Sequence, residues 1–282
     1  MELSHAPATP FMEERVPGMA PLDLGDWLHR DEAFAAQMAY RDRLVAEVPD
    51  IVLKGEGCAG ADELLSLVLR LLVDVDGYDI GPDEAIRPDG VHVRLDRAAP
   101  FATLARLTQE DLLILSKPPD GAEHVLIGGA LLFPSRWSFE EKMNRPLIGI
   151  HDRVPAYDDD LARRVQRLFD MLRPERPLVR ANWLVHPEPE LHQPKLYSTP
   201  KKPHVATGSF WLRVERQSLL KLPISGNTVF GVKTFVTPIE ALDSAHRAGL
   251  IEALGAQSDM MRDYHGGRAH TEAAIGALEA LP

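Results

Sequence analysis

The spacing of hydrophobic and polar positions changes along the chain, from a helical pattern in the first third to strand patterns afterwards. Residues 61–73 (ADELLSLVLRLLV) repeat apolar side chains at helical spacing. Asp62 and Glu63 lie in the first turn of this predicted helix, where their negative charges interact favourably with the positive end of the helix dipole. Residues 27–46, which begin at a tryptophan, and residues 100–116 carry weaker helical patterns. The sequence therefore predicts a helical N-terminal region.

From residue 124 onwards, short apolar runs fit buried strands. HVLIGGALLFP is apolar on both faces, and a second strand-like run ends at Ile150. Two later runs are separated by a loop containing Ser225, Gly226 and Asn227, which is typical of a β-hairpin. The patterns predict strands at 124–134, 179–185, 209–222 and 228–238, an amphipathic helix at 159–173, a further helix at 239–254 and a weak terminal helix at 271–280.

This order of elements predicts an α+β fold, with a mostly antiparallel sheet, flanking helices and a helical N-terminal region. We expect an extended, proline-rich segment at 1–22 and one α+β domain at 23–255. Within that domain, the helical part covers 23–120 and the sheet part covers 121–255. The remaining residues, 256–282, are expected to form a C-terminal tail.

Composition narrows the functional classes. The chain has 282 residues, 45% of them hydrophobic, and a formal net charge of −11, so it can form a sizeable core but is a poor general binder of nucleic acid. Its single cysteine, Cys58, allows no intrachain disulfide and no iron–sulfur centre held by thiolates of this chain alone. We find no signal-peptide pattern and no apolar run that could span a bilayer, and therefore expect a cytoplasmic protein.

Two short motifs have competing interpretations. GEGCAG, with Gly55, Gly57 and Gly60, matches the dinucleotide-binding spacing G-x-G-x-x-G, but no regular βαβ alternation follows it, so a loop between helices is the alternative. HPEPELHQP holds His186 and His192, but its prolines make it extended. A metal site there is therefore weaker than a solvated loop.

The predicted strand at 209–222 carries an arginine on each face. Strand alternation places Arg216 with apolar residues on one face, and Arg213, Glu215 and Gln217 on the other. A guanidinium in apolar surroundings needs an anionic partner or a polar ligand. The partner can be an internal salt bridge, to Glu215 or to an aspartate of the helix at 159–173, or the arginine can face a ligand.

A histidine follows the apolar run that ends at Ile150. His151 is either a half-exposed polar residue at a strand end or a ligand-binding group, since a neutral imidazole binds metals well. Upstream, Arg136 and Trp137 lie in PSRWSFEEKMNRPL. Basic residues beside a tryptophan suit the acidic groups and plane of a large flat cofactor, and equally a surface cation–π stack.

Several of these stretches resemble the catalytic subunit of haem-dependent oxidative N-demethylases. The resemblance is carried by HVLIGGALLFPSRWSFEEKMNRPLIGIHDRVPAY, LVRANWLV and WLRVERQSLLKLPISGNTVFGVKTFVTPI, with RVPGMAPLD near the N-terminus, and runs roughly from Pro10 to Leu254. It implies a PAS-like antiparallel sheet that holds haem b. It also implies demethylation of dimethylamine with release of formaldehyde, using dioxygen and electrons relayed from NADPH through flavin and iron–sulfur partners.

The resemblance, together with the chemistry of the residues, gives a set of expected site residues. His151, inside the densest block of motifs, is expected to be the axial iron ligand, with His186 and His124 as alternatives. The other residues expected to bind the cofactor are Arg136, Trp137, Tyr157 and Arg180. The residues expected to act in catalysis are Arg216 or Arg213, as a fixed positive charge, and Glu215, which would orient a protonated amine.

Two functions of other classes compete with this expectation, because a PAS-like fold does not by itself specify catalysis. One is a haem-binding sensor or storage protein without turnover. The other is a haem-free relative that serves as a scaffold. A Soret absorption band and amine-dependent formaldehyde release would separate the three.

Overall fold

A computed structural model of the chain describes residues 18–152, 154, 157–195 and 208–282. The helices are α1 (Phe34–Glu47), α2 (Pro49–Val52), α3 (Ala61–Leu72), α4 (Pro100–Ala105), α5 (Phe139–Lys142), α6 (Leu147–Ile150), α7 (Asp159–Met171), α8 (Ser244–Ala256), α9 (Asp259–His265) and α10 (Arg268–Glu279). The strands are β1 (Ala20–Pro21), β2 (Leu53–Lys54), β3 (Asp79–Ile80), β4 (Glu84–Ile86), β5 (His92–Arg94), β6 (Asp111–Ser116), β7 (Val125–Ala130), β8 (Leu178–His186), β9 (Trp211–Lys221) and β10 (Thr228–Pro238).

A seven-stranded sheet in the order β1-β8-β9-β10-β6-β7-β2 forms the centre of the fold, and β3, β4 and β5 form a second, small sheet. All of the recorded strand pairs are antiparallel. The predicted hairpin is confirmed, because β9 and β10 pair along their whole length, from Trp211 opposite Pro238 to Lys221 opposite Thr228. The molecule therefore has the α+β fold that the sequence predicts.

The predicted helix at 100–116 is wrong in its second half. Helix α4 ends at Ala105, and DLLILS forms strand β6 between β10 and β7. Its alternate apolar side chains are buried in two separate clusters, one with α1–α4 and one with α7. A short run that is apolar on both sides fits a central strand, and spacing alone does not distinguish it from a buried helix. The main sheet therefore includes β2 and β6 from the first 120 residues.

The N-terminal part of the described chain is attached to the main sheet. The expected extended segment at 1–22 is described only from residue 18, and there Ala20–Pro21 pairs with β8. The helix expected to open at Trp27 begins instead at Phe34. Trp27 is fully buried and its indole Nε1 donates a hydrogen bond to Ser218 Oγ at 2.9 Å. This indole anchors the entry to α1 on β9.

Three apolar clusters hold the layers together. The largest packs α1–α4 against the sheet, and a second packs α8 and α10 against β9 and β10. The third, called the α7 cluster below, consists of Leu113, Leu115, Leu126, Leu131, Phe139, Leu147, Phe169, Leu172 and Leu219. The weak terminal helix expected at 271–280 lies within α10, which packs on α8. No helix in the described part of the chain is long and apolar enough to cross a membrane.

Candidate functional site

The backbone before His151 forms one helical turn, not the end of a strand as expected. Leu147–Ile150 follows Pro146, whose extended conformation starts the turn. The buried Lys142 donates a hydrogen bond from Nζ to the carbonyl oxygen of Ile150. Because this lysine holds the residue directly before the histidine, the position of His151 depends on α5 as well as on its own turn.

The His151 imidazole has one nitrogen bound and one open. Its Nδ1 lies 2.9 Å from the carbonyl oxygen of Leu147, which can only accept a hydrogen bond, so Nδ1 carries the proton. Burial lowers the pKa of His151 below its ordinary value and keeps the ring neutral near pH 7. No described residue hydrogen-bonds to Nε2. A neutral imidazole oriented by a backbone carbonyl, with a free lone pair, is the form that binds a metal.

Tyr157 stacks on this imidazole. The two ring centroids are 4.3 Å apart and the rings are within 15° of parallel. The Tyr157 hydroxyl is buried without a hydrogen-bond partner among the described residues, and burial raises the pKa of the phenol to about 12. A buried hydroxyl without a partner in the folded chain is available to a bound ligand.

A line of polar side chains, called the polar chain below, crosses one face of β8 and β9 towards this pair. Arg213 Nε lies 3.2 Å from Glu215 Oε1, and Gln217 Nε2 donates to Glu215 Oε2 at 3.2 Å. Arg180 Nε then donates to Gln217 Oε1 at 2.8 Å. Arg180 lies directly opposite Gln217 in the strand register. The sheet thus places Arg180 on the same face as Arg213, Glu215 and Gln217, the three residues that strand alternation put together.

Arg213 uses its charge inside the protein. It is 1% exposed, and besides Glu215 its guanidinium donates to the carbonyl oxygens of Phe133 and Leu191. The internal salt bridge considered from the sequence is therefore present for this arginine. The buried Arg213 cation therefore holds the Glu215 carboxylate in place.

Arg216 lies on the opposite face of β9. Its guanidinium donates to the carbonyl oxygens of Trp27 at 2.9 Å and Asp26 at 2.8 Å. The three residues expected in catalysis are therefore not brought together, because Arg216 holds the N-terminal segment on the sheet while Arg213 and Glu215 face the other way.

Arg136 and Trp137 diverge from one another. Trp137 contacts Phe139 edge-to-face at a centroid distance of 6.4 Å and packs, half-buried, on the α7 cluster together with Ile150. Arg136 has φ of 64°, a left-handed conformation that costs free energy for a residue other than glycine. Its Nη1 lies 3.5 Å from the carbonyl oxygen of His265. The tryptophan therefore belongs to the apolar wall near His151, and the arginine to the C-terminal helices.

The two alternative iron ligands differ in their contacts. His124 shares hydrogen bonds of 3.0 and 3.3 Å between its Nδ1 and the Gln166 amide, and its ring packs on Phe169 at 5.2 Å. These contacts give His124 a structural role beside α7. His186 is buried at the end of β8, with Nε2 3.4 Å from Ser135 Oγ and with Nδ1 lacking a described partner.

The other two motifs have local explanations. The Glu56 carboxylate of the glycine loop accepts hydrogen bonds from the Phe101 and Ala102 amides, so it caps α4. A Cβ at Gly55 would come within 2.3 Å of the Ile127 carbonyl oxygen, which explains that glycine by packing against β7. These contacts explain the motif by capping and packing, and the loop joins β2 to α3 where a loop between two helices was expected. His192 Nδ1 donates a hydrogen bond to the Leu132 carbonyl oxygen at 2.6 Å, because a carbonyl oxygen can only accept.

Among the described residues, no group of three or more His, Cys, Asp or Glu side chains is arranged to hold a metal ion. A surface cleft lies instead on the small sheet, lined by Asp79, Gly81, Pro82, Asp83, Glu84 and Ile86. It shares no residue with the polar chain. A haem iron can be held by a single protein ligand and does not require such a group.

Sequence reasoning did not assign a site role to Ser135 or His265. Both lie beside residues that it did single out: Ser135 next to His186, and His265 next to Arg136. YHGGRAH, which contains His265, is a weak motif by itself, and only the packing of α9 and α10 brings it to the strand ends. Gln217 carried a clearer signal, since strand alternation already placed it beside Glu215.

Comparison with known families agrees with the resemblance carried by the sequence motifs. The family model described as haem-dependent oxidative N-demethylase, alpha subunit-like, matches residues 18–275. The match covers nearly all of the described chain. A comparison with curated proteins finds no match.

Proposed function

We propose, because the chain belongs to the haem-dependent oxidative N-demethylase, alpha subunit-like family, that it removes a methyl group from a small secondary amine such as dimethylamine. In this proposal dioxygen is the oxidant, a partner reductase supplies electrons, and the products are formaldehyde and the shorter amine. The observation that carries the proposal is His151, a neutral imidazole whose Nδ1 binds the Leu147 carbonyl oxygen while Nε2 has no described partner.

The residues around His151 fit a haem. Trp137 and Ile150 offer an apolar wall, and Tyr157 adds a flat ring beside the imidazole. Arg180, half-buried, can meet a propionate, since guanidinium groups bind carboxylates well. We propose that the chain would hold haem b through the His151 imidazole, in a PAS-like pocket of the domain 23–255 between the sheet and its flanking helices. When bound, the haem iron supplies the centre at which dioxygen is reduced.

The polar chain supports the amine-binding part of the proposal. A protonated secondary amine needs an anionic partner, and Glu215 is the carboxylate on the same sheet face as Arg180. Arg213 and Gln217 both bind Glu215, so its orientation is fixed before substrate arrives. We propose that Glu215 orients the amine and that Arg213 positions Glu215. The contacts of Arg216 with backbone carbonyls support a structural role for that residue.

The proposal includes a partner chain. The family is that of an alpha subunit, which is consistent with a further subunit. Cys58 is the only cysteine in the sequence, so these residues alone cannot hold an iron–sulfur centre with four thiolate ligands. We propose a flavin and iron–sulfur reductase as that partner.

The test is a haem titration of the full-length chain and of His151→Ala. Removing the axial ligand is expected to weaken haem affinity at least about tenfold, because changing even an outer partner of a metal ligand costs 10–100-fold. The Soret band should shift, and free imidazole should restore part of the original spectrum. His192→Ala is the matched control and should leave both readouts unchanged.

Two results would contradict the assignment. An unchanged Soret band in His151→Ala, together with a changed band in His186→Ala, would move the ligand to His186. A chain that takes up no haem would overturn the haem proposal. Formaldehyde release that depends on both the amine and a reductase then separates catalysis from a haem-binding sensor without turnover.

A further inference from the structure

Arg136 is a half-buried cation with no anionic partner among the described residues. No carboxylate of the described residues lies within 4.0 Å of its guanidinium, and its recorded side-chain contact is the 3.5 Å approach to the His265 carbonyl oxygen, at the long limit for a hydrogen bond. Its backbone is fixed by a hydrogen bond from its N–H to the Gln193 carbonyl oxygen at 3.0 Å, despite the left-handed φ of 64°. Strain of this kind is concentrated at binding sites.

His186 lies beside Arg136 and has its own unmet polar atom. The residue is 2% exposed, and its Nδ1 is buried without a hydrogen-bond partner among the described residues. Its Nε2 lies 3.4 Å from Ser135 Oγ. If the Ser135 hydroxyl donates to Nε2, the ring proton is on Nδ1, and the unpartnered atom is a donor.

Burial and neighbouring positive charges dominate the electrostatics around these two residues. Burial, with Arg213 and Arg136 nearby, lowers the pKa of His186 well below its ordinary value, and burial beside Arg136 lowers the pKa of His265 to about 4. Glu188 is the carboxylate whose charge most influences Arg136, but it is exposed and beyond ion-pair distance.

A half-buried guanidinium without a described counter-ion and a buried donor without an acceptor are each costly, and one anion within reach of both groups would satisfy them together. We propose that Arg136 and His186 form a binding site for a carboxylate group, with the guanidinium as its charged partner and the His186 Nδ1–H as its second donor. The planar fork of an arginine matches a carboxylate, and a charged hydrogen bond of this kind contributes about 1.5–3 kcal/mol, or roughly 10–100-fold in affinity.

The carboxylate has two possible sources, a propionate of the bound haem or a free small carboxylate. A propionate at this site rests on the proposed function and deepens it, because binding of that propionate would fix one edge of the haem beside the C-terminal helices. The second does not depend on haem. Both are tested with the full-length chain and with Arg136→Asn, since asparagine removes the charge while tolerating a left-handed φ. Arg163→Asn, on the exposed side of α7, is the matched control.

The first experiment titrates acetate into the haem-free protein at constant ionic strength and follows the melting temperature. A free-carboxylate site predicts a saturable rise in Tm that disappears in Arg136→Asn and persists in Arg163→Asn. Sodium chloride at the same ionic strength is the comparison that removes general salt effects.

The second experiment compares the affinity for haem with that for haem dimethyl ester, whose propionates are esterified. A propionate site predicts at least about tenfold tighter binding of haem by the wild-type chain. The preference should fall by about the same factor in Arg136→Asn and His186→Phe, and should be unchanged in Arg163→Asn. The readout is the dissociation constant from the Soret band, with no turnover required.

The outcomes separate this site from the proposed function. Binding of haem with a preference that Arg136→Asn leaves unchanged, together with no acetate effect, overturns the carboxylate site and leaves the haem proposal intact. Failure to bind haem overturns the haem proposal, and the acetate titration then decides the site by itself. If Arg136→Asn does not fold, Arg136→Gly, which also permits positive φ, replaces it in both experiments.

Discussion

Beneath α1, the buried cations Arg41 and Lys233 each form an ion pair with a carboxylate, whereas Arg136, beside the C-terminal helices, has no carboxylate of the described residues within 4.0 Å. Arg41 Nη1 lies 2.8 Å from Asp111 Oδ1, and Lys233 Nζ lies 2.9 Å from Asp31 Oδ2. Both cations are fully buried. The two regions therefore differ in the depth at which they hold a cation, since Arg136 is only half-buried, and in whether the described residues supply a carboxylate within ion-pair distance.

The region beneath α1, called the paired network below, also satisfies its remaining polar atoms internally. Arg41 donates further hydrogen bonds to the carbonyl oxygens of Ala105, Gln109 and Glu110. The Asp111 carboxylate accepts from the amides of Leu132 and Phe133. Such a network needs no ligand, and it ties α1 to the segments before β6 and after β7, which meet at the same end of the sheet.

The comparison shows how buried charge separates structure from function in this molecule. Where each group has a partner, the expected effect of a mutation is on folding. Where Arg136, His186 and Tyr157 have polar atoms without a described partner, the expected effect is on ligand binding. Three variants test that division, beginning with the largest expected change.

Arg41→Met tests the paired network. It leaves the Asp111 carboxylate buried without its cation, and we expect a loss of about 3–5 kcal/mol in the free energy of unfolding. Urea denaturation measures the change. Arg43→Met, an exposed position on the same helix that packs over Tyr40, is the control and should cost far less. Equal losses in the two variants would show that the network does not carry the stability assigned to it.

His265→Gln tests the region around Arg136. Burial, aided by Arg136, lowers the pKa of His265 to about 4 in the folded chain, against 6.5 for an ordinary histidine. Between these values the unfolded chain binds a proton that the folded chain does not, so this residue's contribution to stability is lost as pH falls from 6.5 towards 4. Between pH 6.5 and 4, the free energy of unfolding should therefore fall less steeply in His265→Gln than in the wild type. The two slopes should differ by up to about 1.4 kcal/mol per pH unit.

Urea unfolding at several pH values between 7.5 and 4.5 measures this slope. Above pH 7 the wild type and His265→Gln should have parallel pH profiles, because neither folded nor unfolded chain then carries the additional proton. Parallel profiles down to pH 4.5 would mean that His265 does not remain neutral beside Arg136.

Tyr157→Phe tests the smallest expected effect on folding. Its hydroxyl has no described hydrogen-bond partner, so its removal should change the free energy of unfolding by no more than about 0.5 kcal/mol. Tyr78→Phe is the matched control, because the Tyr78 hydroxyl donates to the Leu107 carbonyl oxygen at 2.6 Å and its loss should cost about 0.5–1.5 kcal/mol. For haem affinity the order of the two variants should be reversed. Tyr157→Phe should bind haem more weakly than the wild type, and Tyr78→Phe should bind it equally well.

Local pattern was sufficient wherever a signal lay within a short stretch of chain. The apolar repeat at 61–73 predicted α3, and the loop at Ser225–Asn227 predicted the β9–β10 hairpin. Strand alternation also separated Arg216 from Arg213 and Glu215, as the register of β9 confirms. These features depend on spacing and turn chemistry, which neighbouring residues set among themselves. The roles of His151, Tyr157 and Arg180 at a haem stay predictions.

Tertiary structure decided the features that depend on distant residues. DLLILS is a strand because β10 and β7 hydrogen-bond to it on either side, and no pattern within the six residues supplies those neighbours. Arg180 meets Gln217 through strand register, and Arg136 meets His265 across 129 positions of sequence. Whether a charge is paired inside the chain or left for a ligand depends on such long-range contacts. The sequence alone therefore identified the family, the fold class and the reactive residue types, while packing determined which of those residues share a site.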